Sequence, residues 1–220
     1  MKRTPIEHFT ETPFGKICWF EWGEAGEGPT LLLLHATGLH ARLWDQIVAH
    51  LPENLHVVAP DQLGHGRSHK PDSMAEWTTS CRALLPLVDH LTQSGQPLLA
   101  AGHSMGGYVL SLLAAERPEA FDQLLLIDPV ILEPDVYLGD RHIVPDPMDH
   151  PVSKRRSHWD SAEQMAGRFA QRPPYALWDH DVLRDYCAYG LLPSGDRQGF
   201  ELACPPKLEA SIYQNAPAAS

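Results

Sequence analysis

Gly102, Ser104 and Gly106 stand as Gly-x-Ser-x-Gly within LLAAGHSMGGYVL, residues 98 to 110. A serine hydroxyl is a weak nucleophile until a base takes its proton and N–H groups receive the charge that develops on the attacked carbonyl oxygen. The context predicts part of that machinery. Leu98 to Ala101 reads as a buried strand and GYVLSLLAAERP as a helix stopped by Pro118, so Ser104 falls on a strand-to-helix turn. Small neighbours allow a sharp turn that lifts the hydroxyl, and the positive end of the following helix faces the same spot. The predicted chemistry is acyl transfer with Ser104 as nucleophile. Gly107 is explained by packing.

Such a turn needs a sheet beneath it. KICWFEW, 16 to 22, is short, aromatic and β-rich, and GEAGEGP after it is turn material. TLLLLHA, 30 to 36, is an apolar run too short for a helix, as expected of a strand buried on both faces. ARLWDQIVAHL has helical spacing, LHVVAPD returns to strand character, and a helix is expected from about Glu76 to Gln93 with a kink at Pro86. QPLLAAGHS and FDQLLLIDP give two more strands. This alternation predicts an α/β fold with a doubly wound, mainly parallel sheet. His35, Asp61, Ser104 and Asp128 all lie at carboxyl ends of strands, where such sheets bind ligands.

Past Asp128 the pattern changes. Pro129 to Pro151 is rich in Pro and Asp, and Ser157 to about Tyr189 becomes amphipathic, with Trp159, Met165, Phe169, Trp178, Leu183 and Tyr186 spaced for one apolar face. The expected organisation is a core over residues 1–130 and a helical cap over 131–220. Trp159, Phe169 and Trp178 are expected to pack the cap and, in part, to line an apolar substrate pocket.

Composition narrows the partners. The 220 residues carry a net charge of −11, and no basic cluster exceeds KRR at 154 to 156, which disfavours nucleic acid and membrane surfaces. No apolar run reaches membrane-spanning length and MKRTPIEHFTETPFG lacks the apolar centre of a secretory signal, so a soluble, cytoplasmic protein is expected. Cys18, Cys81, Cys187 and Cys204 are widely spaced and read as reduced, buried thiols. No dinucleotide, phosphate-loop or metal-ligand spacing is present, so neither cofactor nor metal is expected.

LLLLHATGLHARLW, VVAPDQLGHGRS, LLAAGHSMGGYV and LLLIDP, in this order, resemble the α/β-hydrolase family in its cap-bearing branch. The resemblance implies a serine nucleophile at Ser104, an oxyanion hole built from the backbone N–H groups of Thr37 and Met105, an acid and a histidine base. Ala36 stands where the family usually has glycine, and alanine reaches fewer backbone conformations. The resemblance leaves Asp128 as either the acid or a turn residue leading into the cap. His65, inside DQLGHGRS, reads as structural, and His103 as a packing or hydrogen-bonding residue.

The family's base lies on a loop after the last strand. EASIYQNAPAAS, after Leu208, contains no histidine, so the sheet is expected to be C-terminally incomplete, with low activity for this chain alone. His142, His150, His158 and His180 lie in or near the cap as substitute candidates. The expected activity is hydrolysis of a small or medium ester, with a carbon–carbon bond hydrolase as the near alternative. A catalytically inactive hydrolase-like domain that binds an apolar ligand or a protein partner is the alternative from another class. The expected partners are a small-molecule ester substrate and, beside it, self-association or a complementing C-terminal segment that supplies the base. Epoxide and dehalogenase chemistry needs an aspartate where Ser104 stands.

Overall fold

The computed structural model describes residues 3–26, 28–74, 76–132 and 146–215. Its centre is a six-stranded sheet of β1 (Ile6–Thr10), β2 (Ile17–Trp22), β3 (Thr30–Leu34), β4 (His56–Pro60), β5 (Leu98–His103) and β6 (Gln123–Ile127), in the order β1-β2-β4-β3-β5-β6. β3, β4, β5 and β6 run parallel, while β2 pairs antiparallel with β1 and with β4. The fold is α/β with a mainly parallel sheet, as the strand-helix alternation predicts.

Alternation across the pleat explains the unbroken apolar runs. Leu32, Leu34 and Val58 face one side with Leu84, Leu87, Val109 and Leu113, which lie on the helices α2 (Trp77–Leu91) and α3 (Met105–Glu116). Leu33, Val57 and Ala59 face the other side with Phe20, Trp22, Trp44 and Val48. Trp44 ends a short 3₁₀ turn, Ala41–Trp44, that leads into α1 (Asp45–Val48). Pro86 lies inside α2, which runs on to Leu91, with eight side chains of the helix buried against the sheet and α3.

The region read from sequence as wholly helical contains more. Between α4 (Ala162–Phe169), α5 (His180–Tyr189) and α6 (Pro206–Gln214) lies a three-stranded antiparallel sheet of β7 (His158–Trp159), β8 (Leu191–Pro193) and β9 (Phe200–Leu202). Trp159, Met165, Leu183, Tyr186 and Leu202 form its cluster, against which Leu39 and Leu43 of the core pack. α6, which the sequence reading groups with the cap, packs in the main core instead. Leu208 and Ile212, one turn apart, join the α2–α3 side, and Trp77 Nε1 donates to the Ile212 carbonyl at 2.8 Å.

A buried ion pair ties these layers together. Arg155 Nη1 donates to Glu209 Oε2 at 2.6 Å and Nη2 to the Tyr186 hydroxyl at 2.8 Å. Burial pushes the Glu209 carboxyl up, although the Arg155 guanidinium opposes that shift.

Candidate active site

Ser104 sits between β5 and α3 with φ 53° and ψ −117°, and is one of two non-glycine residues with positive φ among the described residues. Such a conformation costs about 1–3 kcal/mol and persists only where the surroundings enforce it. They do so here with backbone. Ser104 N–H donates to Ile127 O at 3.0 Å, and Ser104 O accepts from Tyr108 N–H at 3.1 Å. A Cβ on Gly102 would lie 2.6 Å from the Gly106 carbonyl carbon, and one on Gly106 would lie 2.6 Å from that of Leu34, so any side chain would wedge the turn open.

Thr37 and Met105 are both buried, and the Thr37 hydroxyl donates to Met105 Sδ at 3.3 Å, so the two residues meet beside Ser104. Among the described residues neither backbone N–H donates to a protein acceptor. Met105 N–H is free because it opens α3, where the first helical donors have no partner four residues back. Ala36 is accommodated without positive φ. The left-handed position of this loop is Gly38, at φ 74°, where a Cβ would lie 2.9 Å from Glu209 Cδ.

The Asp61 loop closes much as its glycines suggest. Asp61 accepts from Ala41 N–H and Arg67 N–H, both at 2.8 Å, and Gly66 approaches the carboxylate at φ 51°. His65 is fully buried. Its Nε2 accepts from Gly38 N–H at 3.0 Å, which agrees with a structural reading and excludes direct contact with substrate in this arrangement.

Asp128, at φ 44°, is exposed and follows the β6 residue that pairs with His103, which places it one strand away from Ser104. It forms no hydrogen bond with another described residue. His150 accepts from Val152 N–H and stacks on Tyr213, His158 lies in β7, and His180 opens α5, exposed; none of them hydrogen-bonds Ser104. His142 lies outside the described residues.

Trp159, Phe169 and Trp178 pack on one another through Tyr175 and Tyr186, with ring centroids 4.4 to 5.7 Å apart, and hold the cap together. The space next to the elbow is lined by other side chains. A cavity of about 190 Å³ is bounded by His35, Ala36, Leu39, Leu43, Trp44, Ile47, Val182 and His103, the residue before Ser104. The sequence carried a signal for it, since Leu39, Leu43, Trp44 and Ile47 share the segment that directly follows Thr37.

A family model described as "Alpha/beta hydrolase family" matches residues 31–210. The chain belongs to the alpha/beta hydrolase family. Among curated proteins, the chain is 41% identical over 107 residues to Lipase LipV of Mycobacterium tuberculosis (strain ATCC 25618 / H37Rv), covering 47% of this chain and 39% of that protein. It is 30% identical over 119 residues to the Homo sapiens Monoacylglycerol lipase ABHD6, covering 54% of this chain and 35% of the relative. The match thus spans about two fifths or less of either lipase. Among solved structures, the thioesterase domain from the curacin biosynthetic pathway superposes with a TM-score of 0.73 at 23% identity, covering 99% of this chain and 75% of that one. Both of these relatives are named as lipases. No helix among the described residues of this chain is long and apolar enough to cross a membrane.

Proposed function

We propose that the protein is a serine acyl hydrolase acting on esters of short, neutral acyl groups. Ser104 loses its proton to a base and attacks the carbonyl carbon, the Thr37 and Met105 N–H groups receive the oxyanion, the alcohol leaves with that proton as the acyl-enzyme forms, and water hydrolyses the acyl-enzyme to release the acid. The observation that carries this reading is the pair of unpartnered N–H groups beside a serine held at positive φ. Asp128 is proposed as the acid; that it is an exposed carboxylate one strand from Ser104, with no hydrogen bond to another described residue, supports this.

The base belongs to a group outside the described contacts of Ser104. β6 supports a complementing segment as its source: Leu124, Leu125 and Ile127 are exposed on a strand that pairs on one side only among the described residues. The excess of acid and four buried free cysteines support a reducing, cytoplasmic setting.

Cavity size sets the acyl group. The space beside His103, about 190 Å³, suits a short acyl chain, and no lysine or arginine lines it. Each added methylene that is buried contributes about 0.8 kcal/mol, so two of them raise kcat/KM by about tenfold until the cavity is full. Across p-nitrophenyl acetate, butyrate, hexanoate and dodecanoate, kcat/KM is expected to rise to butyrate or hexanoate and to fall at least about tenfold by dodecanoate. A rate that keeps rising to dodecanoate would place the acyl chain elsewhere.

A further inference from the structure

Two buried histidines remain unused by the reaction, and their hydrogen bonds form a reciprocal pair. His35 follows β3 and its Nε2 accepts from Gln62 N–H, at 3.0 Å, on the loop after β4. His65 lies on that second loop, and its Nε2 accepts from Gly38 N–H, at 3.0 Å, on the loop after β3. Each loop therefore receives the other's histidine. The Nδ1–H groups are spent locally, His35 on Ala36 O at 2.8 Å and His65 on Leu63 O at 3.1 Å, which fixes both neutral tautomers and both ring orientations. The rings meet edge to face at 5.0 Å and are at most 1% exposed.

What these bonds hold follows from peptide planarity. Ala36 O and Thr37 N–H belong to one rigid peptide plane, and Thr37 O and Gly38 N–H to the next. His35 grips the first plane through Ala36 O, and His65 grips the second through Gly38 N–H. The only rotations between the planes are φ and ψ of Thr37, so with both planes fixed the direction of the Thr37 N–H is fixed too. Gln62 Nε2 donates to His35 O, and Lys70 Nζ caps the His65, Gly66 and Ser68 carbonyls, holding the second loop as a firm support.

We propose that His65 is a positioning residue for the oxyanion hole, acting with His35 to hold the two peptide planes that flank Thr37. This rests on the reading of Thr37 N–H as an oxyanion donor. Preorganisation matters because a donor worth about 10²–10³ in rate when aligned loses most of that when it must be found during the reaction. Burial also drives the His65 ring well below the usual imidazole range, which keeps Nε2 free to accept.

Two variants separate this role from simple packing. His65→Gln places a side-chain oxygen near the position of Nε2 and can accept Gly38 N–H, whereas His65→Asn reaches only the position of Nδ1 and cannot. With both variants shown to be folded by thermal melts, the burst of p-nitrophenol from p-nitrophenyl butyrate is measured against ester concentration, and Gly38 amide exchange is followed by NMR. His65→Asn is expected to slow the limiting acylation rate by about 10–100-fold, to leave half-saturation within about twofold, and to expose the Gly38 amide. His65→Gln is expected to stay within about fivefold of the parent in rate and to keep the amide protected. Equal acylation by His65→Asn and the parent, or equal slowing in both variants, would overturn the proposal. If the parent itself does not acylate, the hydrolase reading fails, and amide protection unchanged in His65→Asn then overturns the clasp. If His65→Asn does not fold, a slow His65→Gln with an exposed Gly38 amide overturns it.

Discussion

Ser104→Ala is expected to lower the burst rate with p-nitrophenyl butyrate by at least about 10³-fold. The substitution removes one oxygen from a half-buried side chain and leaves the backbone that positions it intact, since the bonds from Ser104 N–H to Ile127 O and from Tyr108 N–H to Ser104 O involve no side chain. The Thr37 and Met105 N–H groups also remain, so a small residual rate from the oxyanion hole survives. Reading the burst rather than steady turnover separates attack from deacylation, both of which lean on a histidine base. A burst of the same rate and size in Ser104→Ala would move the chemistry to another residue.

Acid is expected to destabilise the fold steeply between pH 6.5 and pH 4, well before the carboxylates as a class are protonated. Burial lowers His35, His40 and His65, and the desolvation of His40 brings it down to about 4 from an ordinary 6.5. The folded state therefore refuses protons that the unfolded chain accepts below 6.5, and stability falls as pH drops through that window. For His40 alone, the fall from 6.5 to about 4 corresponds to about 3 kcal/mol, a large part of a typical net stability of about 5–15 kcal/mol. Glu209 works the other way: its raised carboxyl favours folding below 4.5, and that contribution is lost as pH rises. It is one group against three. Thermal melts at pH 7.5, 6.5, 5.5 and 4.5 check this; midpoints that stay level to pH 4.5 would show that the histidines are hydrated or paired in a way the structure does not contain.

Much of this was written locally in the sequence. β3 and β5 are legible because strands covered on both faces leave apolar runs of five or six residues, and β6 because its sequence is apolar, although Leu124, Leu125 and Ile127 are exposed; the elbow is legible because its small residues are required by backbone contacts within the motif and with Leu34 of β3. β7, β8 and β9 were not legible: strands of two or three residues have no room for periodicity, and the tryptophan and tyrosines around them fit a helical face equally well. From the sequence, α6 reads as part of the cap because it follows it in the chain, although Leu208 and Ile212 have the spacing of a core-facing helix. The cap aromatics were legible as apolar but not as to which side they pack.

The oxyanion loop shows a different limit. Ala36 reads as a constraint from its residue type, yet the left-handed residue is Gly38, two positions on. The hold exerted by His65 on Gly38 joins positions 27 apart through a backbone donor, so residue types alone give no trace of it. His65 could be read as structural, but what it supports emerges only when the loops after β3 and β4 are seen side by side.

The central claim is that Ser104 is the nucleophile of an oxyanion hole formed with Thr37 and Met105. The most direct test is intact-mass spectrometry after treatment with an alkyl fluorophosphonate, in which a serine oxygen displaces fluoride at phosphorus and the phosphoryl oxygen occupies the oxyanion hole. The account predicts one adduct per chain, on the peptide containing Ser104, and none in Ser104→Ala. No adduct on the folded parent chain, or an adduct that persists in Ser104→Ala, would contradict it.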